Sequence, residues 1–381
     1  MSELSASQHA QQMSTYCAAG VERAQALGNR GPMRRDAQGR LSEEILAAYW
    51  QHGFYVFEGL VDQAEIELLR TDFAELIERA PADNGADLDA RGRPALGQEF
   101  ARSPYTLIRP LSDPWGGTDL LGGRHPTRMT QPQAAAQAPR KVVFLISGMC
   151  QLSEAALRLY GHADLLTIAA GINGDDFVPY NDATFVKQPG LGGSVSWHQD
   201  GVTHWDSPQW DEGIHGFNFQ VQLYPCTPAN CLWVVPGTHK QGRIDIKQRV
   251  RENGSEYLPD AVPLLCQPGD VTIANRQVLH GSFANTSETP RISITFGFHR
   301  YQSVLGARGA LSQTAEEVYD AERIDQRSAV IAVAIDARAQ FYPDQPRFSY
   351  AAFGGREDEY RYCPANIECV IKDYNLKDLS I

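Results

Sequence analysis

The chain has 381 residues, of which 43% are hydrophobic and 21% are charged, and its formal net charge is −12. That length is enough for one large domain or two ordinary ones, and the composition is that of a globular protein. The negative charge argues against nucleic acid or an anionic membrane surface as a partner, and no apolar stretch is long enough to span a membrane. The seven cysteines form no C-x-x-C pair, and residues 1–35 lack the apolar core of a secretory signal, which together predict a cytoplasmic protein with reduced thiols.

The first 80 residues divide into an arm and a segment that contains helices. Residues 1–40 are rich in Gln, Ser, Arg and Gly with little periodicity, and they predict a flexible N-terminal arm. Apolar residues at helical spacing follow at 42–49 and 61–77, and residues 53–57 between them have the composition of a strand. We therefore expect helices at the start of the main domain, which we predict to extend over residues 41–301.

The segment 81–140 is rich in Pro, Gly, Asp and Gln. It is too long to be a simple connection between two elements of a compact domain. In an enzyme, segments of this kind often cover a site, so we interpret residues 81–140 as a lid-like insert.

After helical segments at 152–160 and 163–170, the hydrophobic period changes to the alternation typical of strands. The candidate strands are residues 184–187, 194–200, 217–224, 231–235, 271–275, 280–283 and 292–298. Turn-forming Pro, Gly and Asn residues separate them, which predicts a sandwich or jelly roll. Residues 302–381 return to mixed helix and loop, with 315–339 the strongest helical zone. We expect them to pack on the same domain as a C-terminal extension.

A candidate metal site is centred on His198 and Asp200. A strand projects residues i and i+2 to the same face, and a neutral nitrogen beside an anionic oxygen suits iron, zinc or manganese. The pair alone is weak evidence, because a polar surface loop produces the same spacing by chance. His280 and Arg291, farther along the chain, offer a third ligand and a cation for an organic co-substrate. Three protein ligands on one face leave the other face of a metal open for chemistry.

The strand region contains five motifs in a fixed order. They are Phe185-Val186-Lys187-Gln188-Pro189-Gly190, Trp197-His198-Gln199-Asp200, Trp233-Val234-Val235-Pro236-Gly237-Thr238-His239-Lys240, His280-Gly281-Ser282 and Asn285-Thr286-Ser287-Glu288-Thr289-Pro290-Arg291. Over residues 42–300 this order resembles the phytanoyl-CoA dioxygenase family, a group of iron(II)- and 2-oxoglutarate-dependent oxygenases to which ectoine hydroxylase is also related. The resemblance implies a mainly β fold, the cupin-like jelly roll called a double-stranded β-helix, with N-terminal helices and a C-terminal helical extension.

The resemblance also implies roles for individual residues. His198, Asp200 and His280 would bind iron(II), and Arg291 would bind the distal carboxylate of 2-oxoglutarate. The role of Arg291 agrees with its chemistry, because a planar, permanently charged guanidinium pairs with a carboxylate through two hydrogen bonds. The presence of Asp200 argues against a halogenase, since halogenating relatives lack that carboxylate.

Three neutral side chains are further candidates for contact with the co-substrate. Ser293 shares a strand face with Arg291, and Ser282 follows the third ligand by two residues. In the strand 217–224, alternation puts Gln220 on a polar face. That face points either into the barrel, where the amide would reach the co-substrate, or to solvent.

The segment that follows Asp200 is expected to begin at the mouth of the site. It contains His204, Trp205 and Trp210, which we interpret as substrate contacts because flat apolar walls with a few polar groups are typical of small-molecule pockets. The alternative is a surface loop whose tryptophans pack on neighbouring elements.

The implied reaction consumes 2-oxoglutarate and O2 and releases succinate and CO2. In it, an unactivated C–H bond of a small-molecule metabolite or natural-product intermediate is hydroxylated or otherwise oxidised. One alternative is a cupin-like metal-dependent dioxygenase or isomerase that keeps the three ligands but does not use 2-oxoglutarate. Another is a relative that binds a ligand without turnover. The sequence leaves the substrate, the type of oxidation and the oligomeric state open.

Overall fold

The computed structural model describes residues 4–200, 216–309 and 317–378. The helices are α1 (Ala6–Leu27), α2 (Glu43–His52), α3 (Gln63–Glu78), α4 (Met149–Leu152), α5 (Glu154–Tyr160), α6 (Ala163–Asn173), α7 (Ile246–Asn253), α8 (Tyr301–Val304), α9 (Ala321–Phe341) and α10 (Pro364–Asn366). The strands are β1 (Arg30–Gly31), β2 (Phe54–Phe57), β3 (Tyr105–Ile108), β4 (Val142–Ser147), β5 (Val178–Lys187), β6 (Val195–His198), β7 (Gly216–Gln222), β8 (Trp233–Val235), β9 (Val262–Pro263), β10 (Val271–Asn275), β11 (Leu279–Ser282), β12 (Arg291–His299), β13 (Arg308–Gly309) and β14 (Glu317–Val318).

Two sheets face each other around a buried interior. The large sheet has the strand order β1-β2-β10-β7-β12-β5-β4-β3, and the small sheet has the order β6-β11-β8-β9. Asn218 of β7 reaches across to Asp200, just after β6, and Lys187 of β5 reaches the carbonyl of Phe283, just after β11. Two sheets whose side chains meet in this way form a double-stranded β-helix, so the prediction of a mainly β, cupin-like jelly roll with flanking helices is confirmed.

Strand β7 shows how the sequence separates the interior from the helical layer. Phe217, Phe219 and Val221 belong to the apolar core that helices α2, α3, α5, α6 and α9 share with the large sheet. The alternate residues Asn218 and Gln220 point the opposite way, into the interior between the sheets. Because strand side chains alternate between faces, one strand supplies both an apolar outer surface and a polar inner surface.

The predicted helices and strands of the main domain are largely present. Helix α3 begins after Asp62, whose carboxylate accepts a hydrogen bond from the N–H of Glu65, as expected of an N-cap. The seven predicted strands correspond to β5, β6, β7, β8, β10, β11 and β12. Strand β4 was not predicted, because Val142–Ser147 is a short apolar run without alternation and directly follows the insert.

Residues 6–27 differ from the expected flexible arm, because they form helix α1. Ser5 caps the helix, and Tyr16 stacks on Trp233 with ring centroids 4.5 Å apart. At Gly20 a Cβ atom would overlap the same indole, so only glycine allows this close approach. Trp233 pairs with Gly281, one position along from the His280–Val234 pair, so α1 covers the outer face of the small sheet.

The segment 81–140, expected to be a lid-like insert, is partly built into the fold. It contains β3, the edge strand of the large sheet, which pairs with β4. The rest is turn and loop, with a kinked turn at Leu120–Gly123. The two residues after that turn, Arg124 and His125, contact Asp200 and His198.

The C-terminal extension packs on the main domain through α9, the helix predicted at 315–339. Arg338 of α9 forms a buried two-point ion pair with Glu65 of α3, at 2.7 and 3.0 Å. Arg327 of the same helix donates to the carbonyl of Tyr180 in β5. Among the described residues, no helix is long and apolar enough to cross a membrane.

Candidate metal centre

The three predicted ligands come together at one end of the small sheet. His198 is the last residue of β6, and Asp200 follows it by two residues. His280 lies on β11 directly opposite His198, and the two ring centroids are 4.0 Å apart. One ligand atom from each of the three side chains lies within 4.8 Å of the other two, and all three residues are buried. Strand periodicity and cross-strand pairing therefore bring distant parts of the chain to one point.

Each histidine is oriented by the main-chain carbonyl two residues earlier in the chain. Nδ1 of His198 is 2.8 Å from the oxygen of Ser196, and Nδ1 of His280 is 2.8 Å from the oxygen of Val278. A carbonyl only accepts, so each Nδ1 carries the proton and donates it, which leaves a lone pair on Nε2. The two Nε2 atoms face Asp200, at 3.6 and 3.8 Å from its carboxylate oxygens. A hydrogen bond at the remote nitrogen orients an imidazole for metal binding in this way.

Burial and neighbouring charges set the protonation of the triad. Burial lowers the pKa of His198 well below its usual value, and the nearby His280 ring acts in the same direction. Burial also lowers the pKa of His280. Burial alone would raise the pKa of Asp200, but Arg124 and Arg276 outweigh it and the pKa is lowered. Two neutral imidazoles and one carboxylate are the protonation states that bind a divalent cation.

Two donors hold the carboxylate of Asp200, and neither is marked by a sequence motif. Nη1 of Arg124 is 3.1 Å from Oδ1, and Nδ2 of Asn218 donates to Oδ2 at 3.0 Å. The alternation of β7 points to Asn218, because it lies on the same face as Gln220. Arg124 comes from the insert, 76 residues before Asp200. The insert has no regular hydrophobic periodicity, so its sequence does not indicate which side chains point inward.

His125, next to Arg124, forms one wall of the site. Its ring is fully buried and lies on the ring of His198, with centroids 4.1 Å apart. Its Nδ1 is 3.2 Å from the Ser196 carbonyl oxygen that His198 also uses. Burial lowers the pKa of His125 to about 3, and Arg124 acts in the same direction, so the ring is neutral.

A second cluster, which we call the clamp end, is formed by Arg291, Lys187, Gln220, Gln222 and Ser293. Arg291 and Lys187 lie directly opposite each other on β12 and β5, and they are only 2% and 1% exposed. Arg291 donates to Gln220 Oε1 at 2.8 Å, and Lys187 donates to the Phe283 carbonyl. Within residues 4–200, 216–309 and 317–378, no carboxylate pairs with either cation, and Nε of Arg291 has no hydrogen-bond partner. Two buried like charges side by side repel each other, which makes the clamp end suited to an anion.

Strand β7 connects the clamp end to the metal centre. Asn218 contacts Asp200, and Gln220, two residues farther along the same face, contacts Arg291. Same-face neighbours on a strand are about 7 Å apart, so the two clusters are separated by roughly one strand repeat. The interior alternative for Gln220 is therefore the observed one. Ser293 Oγ also faces inward and donates to Gln222 Oε1.

The remaining candidates are Ser282 and the three predicted substrate contacts. Ser282 is buried on β11, but its side chain makes no hydrogen bond to the clamp end or the triad within the described ranges. His204, Trp205 and Trp210 lie outside the described residues, so they stay predictions.

A double-stranded β-helix with two histidines and a carboxylate on its small sheet defines a class of protein, the non-haem metal enzymes with three ligands on one face of the metal. The donor set fits iron(II), because neutral imidazole nitrogens and a carboxylate converge while the protein occupies one side only. The clamp end fits the distal carboxylate of 2-oxoglutarate, because Arg291 keeps an unused buried donor.

The family is shown by comparison with known proteins. The family model for phytanoyl-CoA dioxygenase (PhyH) matches residues 49–293, and the chain belongs to this family. Phytanoyl-CoA dioxygenase 1 of Oryza sativa subsp. japonica is 32% identical over 117 residues, which is 29% of this chain and 40% of that protein. The dioxygenase lolE1 of Epichloe uncinata is 29% identical over 148 residues, which is 37% of this chain and 54% of that protein. The predicted cofactors, iron(II) and 2-oxoglutarate, are confirmed at the level of the family.

The chain also matches solved structures at low sequence identity. EctD from S. alaskensis, crystallised with 2-oxoglutarate and 5-hydroxyectoine, is 20% identical, with a TM-score of 0.47 over 72% of this chain and 81% of that chain. The α-ketoglutarate-dependent carbocyclase SnoK from nogalamycin biosynthesis is 16% identical, with a TM-score of 0.45 over 70% of this chain and 87% of that chain. The matches to the curated relatives span about half of their length or less.

Proposed function

We propose that this chain is an iron(II)- and 2-oxoglutarate-dependent dioxygenase that hydroxylates an unactivated C–H bond. The substrate is a small-molecule metabolite or natural-product intermediate, and succinate and CO2 are released. One observation supports the proposal most. A neutral histidine pair with a carboxylate shares its interior with two buried cations that have no carboxylate partner in the described chain.

In this proposal His198, Asp200 and His280 hold iron(II), which supplies the oxidising chemistry with O2 and 2-oxoglutarate when it is bound. The chain contributes orientation. The carbonyls of Ser196 and Val278 keep both Nδ1 atoms protonated, so that only Nε2 is free to bind.

The proposed role of the clamp end is to bind and align the co-substrate. Arg291 and Lys187 pair with its distal carboxylate, and Gln220 holds the guanidinium in place through the 2.8 Å contact. Ser293 and Ser282 are additional donors in this proposal. Because both cations are almost fully buried, water competes little for that carboxylate.

The two alternative functions would use the metal triad and the clamp end differently. A metal-dependent dioxygenase or isomerase that ignores 2-oxoglutarate has no need of two adjacent buried cations. A relative that only binds a ligand has no need of a triad kept in the metal-binding protonation states. Membership of the phytanoyl-CoA dioxygenase family favours the 2-oxoglutarate-dependent reaction over both.

The test is to incubate the iron-loaded protein with 2-oxoglutarate under 18O2, without any primary substrate, and to measure succinate. A dioxygenase of this type places one atom of O2 in succinate, so labelled succinate is expected from the wild type and none from His280→Ala. Wild-type protein that binds iron but forms no succinate would argue for one of the two alternatives.

The proposed substrate contacts are His204, Trp205 and Trp210. Once a substrate is found, Trp205→Ala should lower the ratio of oxidised product to succinate, because the co-substrate reaction does not depend on that side chain. Equal loss of both products would mean that the segment has a structural role instead.

A further inference from the structure

The loop that carries Arg124 has an unusual backbone. Leu121, Gly122 and Gly123 have φ angles of +53°, +66° and +70°, so three successive residues adopt the left-handed conformation. Leucine rarely does so, because its Cβ is crowded there. The side chain of Leu121 is 42% exposed, so its own burial offsets little of this cost. Strain of this kind concentrates at functional sites, and the residues that the loop places are Arg124 and His125.

Arg124 is more exposed than the two cations of the clamp end. Its side chain is 20% exposed, whereas the cations of the clamp end are almost fully buried. Its Nη1 contacts Asp200 Oδ1, and its Nε is buried without a hydrogen-bond partner in the described part of the chain. The guanidinium therefore keeps one buried N–H donor that no described residue satisfies.

With a metal ion bound, the described residues provide too little negative charge near Arg124 to balance its own charge. Asp200 is the only carboxylate within 4 Å of Arg124 among the described residues, and it also faces both Nε2 atoms of the triad. A divalent cation bound by the triad draws on the same negative charge. Arg124 is then a partly buried cation beside a dication, which is costly unless another anion is close.

We propose that Arg124 binds an oxyanion of the primary substrate, a carboxylate or a phosphate, beside the metal centre. The inference rests on the proposed function and narrows its substrate class to organic acids or phosphate esters. Arginine suits this role because its fork of N–H donors can contact Asp200 on one side and a second oxyanion on another. The site is distinct from the clamp end, since Arg291 contacts Gln220 whereas Arg124 contacts Asp200.

The test measures binding without turnover, on zinc-loaded protein with saturating 2-oxoglutarate. The probes are hexanoate, hexyl phosphate and the uncharged hexanamide, each titrated by calorimetry. Wild type should bind at least one anion about tenfold or more tighter than the amide, as expected for hydrogen bonds to a charged group. The tighter of the two anions distinguishes a carboxylate from a phosphate substrate.

Three variants locate that preference. Arg124→Gln should lose it, Arg124→Lys should keep part of it, and Arg140→Gln, which removes an exposed arginine of the same insert, should keep all of it. Arg124→Gln should bind 2-oxoglutarate with the same affinity as wild type. That result would show that the interior between the two sheets is intact in the variant.

The proposal is overturned if Arg124→Gln retains the preference, and also if neither anion binds wild type better than the amide. A preference that survives in Arg124→Gln but disappears without zinc places the anion on the metal, which overturns it too. Because no step needs turnover, a failure to form succinate would refute the proposed function and leave the result on Arg124 standing.

Discussion

The metal centre and the clamp end are neighbouring parts of one interior, but they balance charge in opposite ways. At the metal centre a single carboxylate, Asp200, has a donor on each oxygen, Arg124 and Asn218. At the clamp end two cations, Arg291 and Lys187, donate to the neutral oxygens of Gln220 and Phe283, and no carboxylate of the described residues pairs with them. The first cluster therefore contains a carboxylate among its cations, Arg124 and Arg276, whereas the second contains none among the described residues.

This difference indicates what each cluster is suited to bind. A carboxylate with two neutral imidazoles can accept a metal ion without moving a proton. Arg291 and a protonated Lys187 repel each other across β5 and β12, so the free protein favours the neutral form of Lys187 and a bound anion favours the charged form. The predictions below alter one cluster at a time, so each should leave a property of the other cluster unchanged.

The largest effect is expected from removal of the negative charge at the metal centre. Asp200→Ala should abolish binding of a divalent metal such as Mn(II), measured by calorimetry. The loss should exceed the roughly 10–100-fold decrease that follows when only a hydrogen-bond partner of a ligand is removed. His198→Ala and His280→Ala should behave in the same way.

The matched control for these variants is His52→Ala, which removes a histidine of α2 that lies outside the triad. It should bind Mn(II) as wild type does. Wild-type metal affinity in Asp200→Ala would mean that the metal lies elsewhere in the protein.

Removal of the charge at the clamp end should give the next largest effect. Arg291→Ala should weaken 2-oxoglutarate binding by well over tenfold, because loss of one partner of a buried charge pair costs about 2–5 kcal/mol. Its affinity for Mn(II) in the absence of 2-oxoglutarate should be unchanged.

Arg291→Lys tests the geometry of the same contact. It keeps the charge but loses the two-point fork, so an intermediate affinity for 2-oxoglutarate is expected. A dissociation constant in Arg291→Ala equal to that of wild type would assign the distal carboxylate to another residue.

Features that depend on strand periodicity could be predicted from the sequence. Arg291 and Ser293 share the inner face of β12 because Ile292 and Ile294 belong to the outer core. Asp200 lies two residues beyond His198, just after the end of β6, and still reaches the predicted site. The order of the strands in the sheet was not needed for these predictions. Alternation, which is local, predicts which residues share a face, and the family resemblance supplied the expectation that the face of Arg291 points inward.

Features that depend on the arrangement of distant segments could be predicted only where the family resemblance supplied them, as it did for His280. Lys187 lies beside Arg291 only because β5 and β12 are neighbours in that register, and a solvent-facing lysine has the same local sequence. Arg124 comes from an aperiodic loop. Helix α1 is stabilised largely by Tyr16 and Gly20 packing on Trp233, which is a tertiary contact rather than a helical propensity.

A smaller effect should separate the two clusters along β7. Asn218→Leu removes a donor to Asp200 and should lower the affinity for Mn(II) by about 10–100-fold, the usual effect of losing a partner of a metal ligand. Gln220→Leu, two residues along the same face, should instead weaken 2-oxoglutarate binding and leave metal binding unchanged. Equal effects of both variants on both ligands would show that the two clusters do not act separately.

The smallest effect concerns the proton on Lys187. Burial lowers the pKa of Lys187 well below its usual value, and the charge of Arg291 acts in the same direction. A carboxylate bound beside Lys187 favours the charged ammonium and raises the pKa again. Between the lower pKa of the free protein and the higher pKa of the complex, binding therefore takes up a proton, and the affinity for 2-oxoglutarate must fall as pH rises.

The slope of this pH dependence is limited by the single proton involved. The affinity should fall by no more than about tenfold per pH unit, and it should be constant below the lower pKa, where Lys187 is charged in both states. Calorimetric titrations in two buffers of different ionisation enthalpy would measure the proton uptake directly. Lys187→Met should bind 2-oxoglutarate more weakly and lose the proton uptake, whereas Lys247→Met, which removes an exposed lysine of α7, should keep both. Proton uptake that persists in Lys187→Met would mean that another group titrates, and the surplus charge of the clamp end would then rest on Arg291 alone.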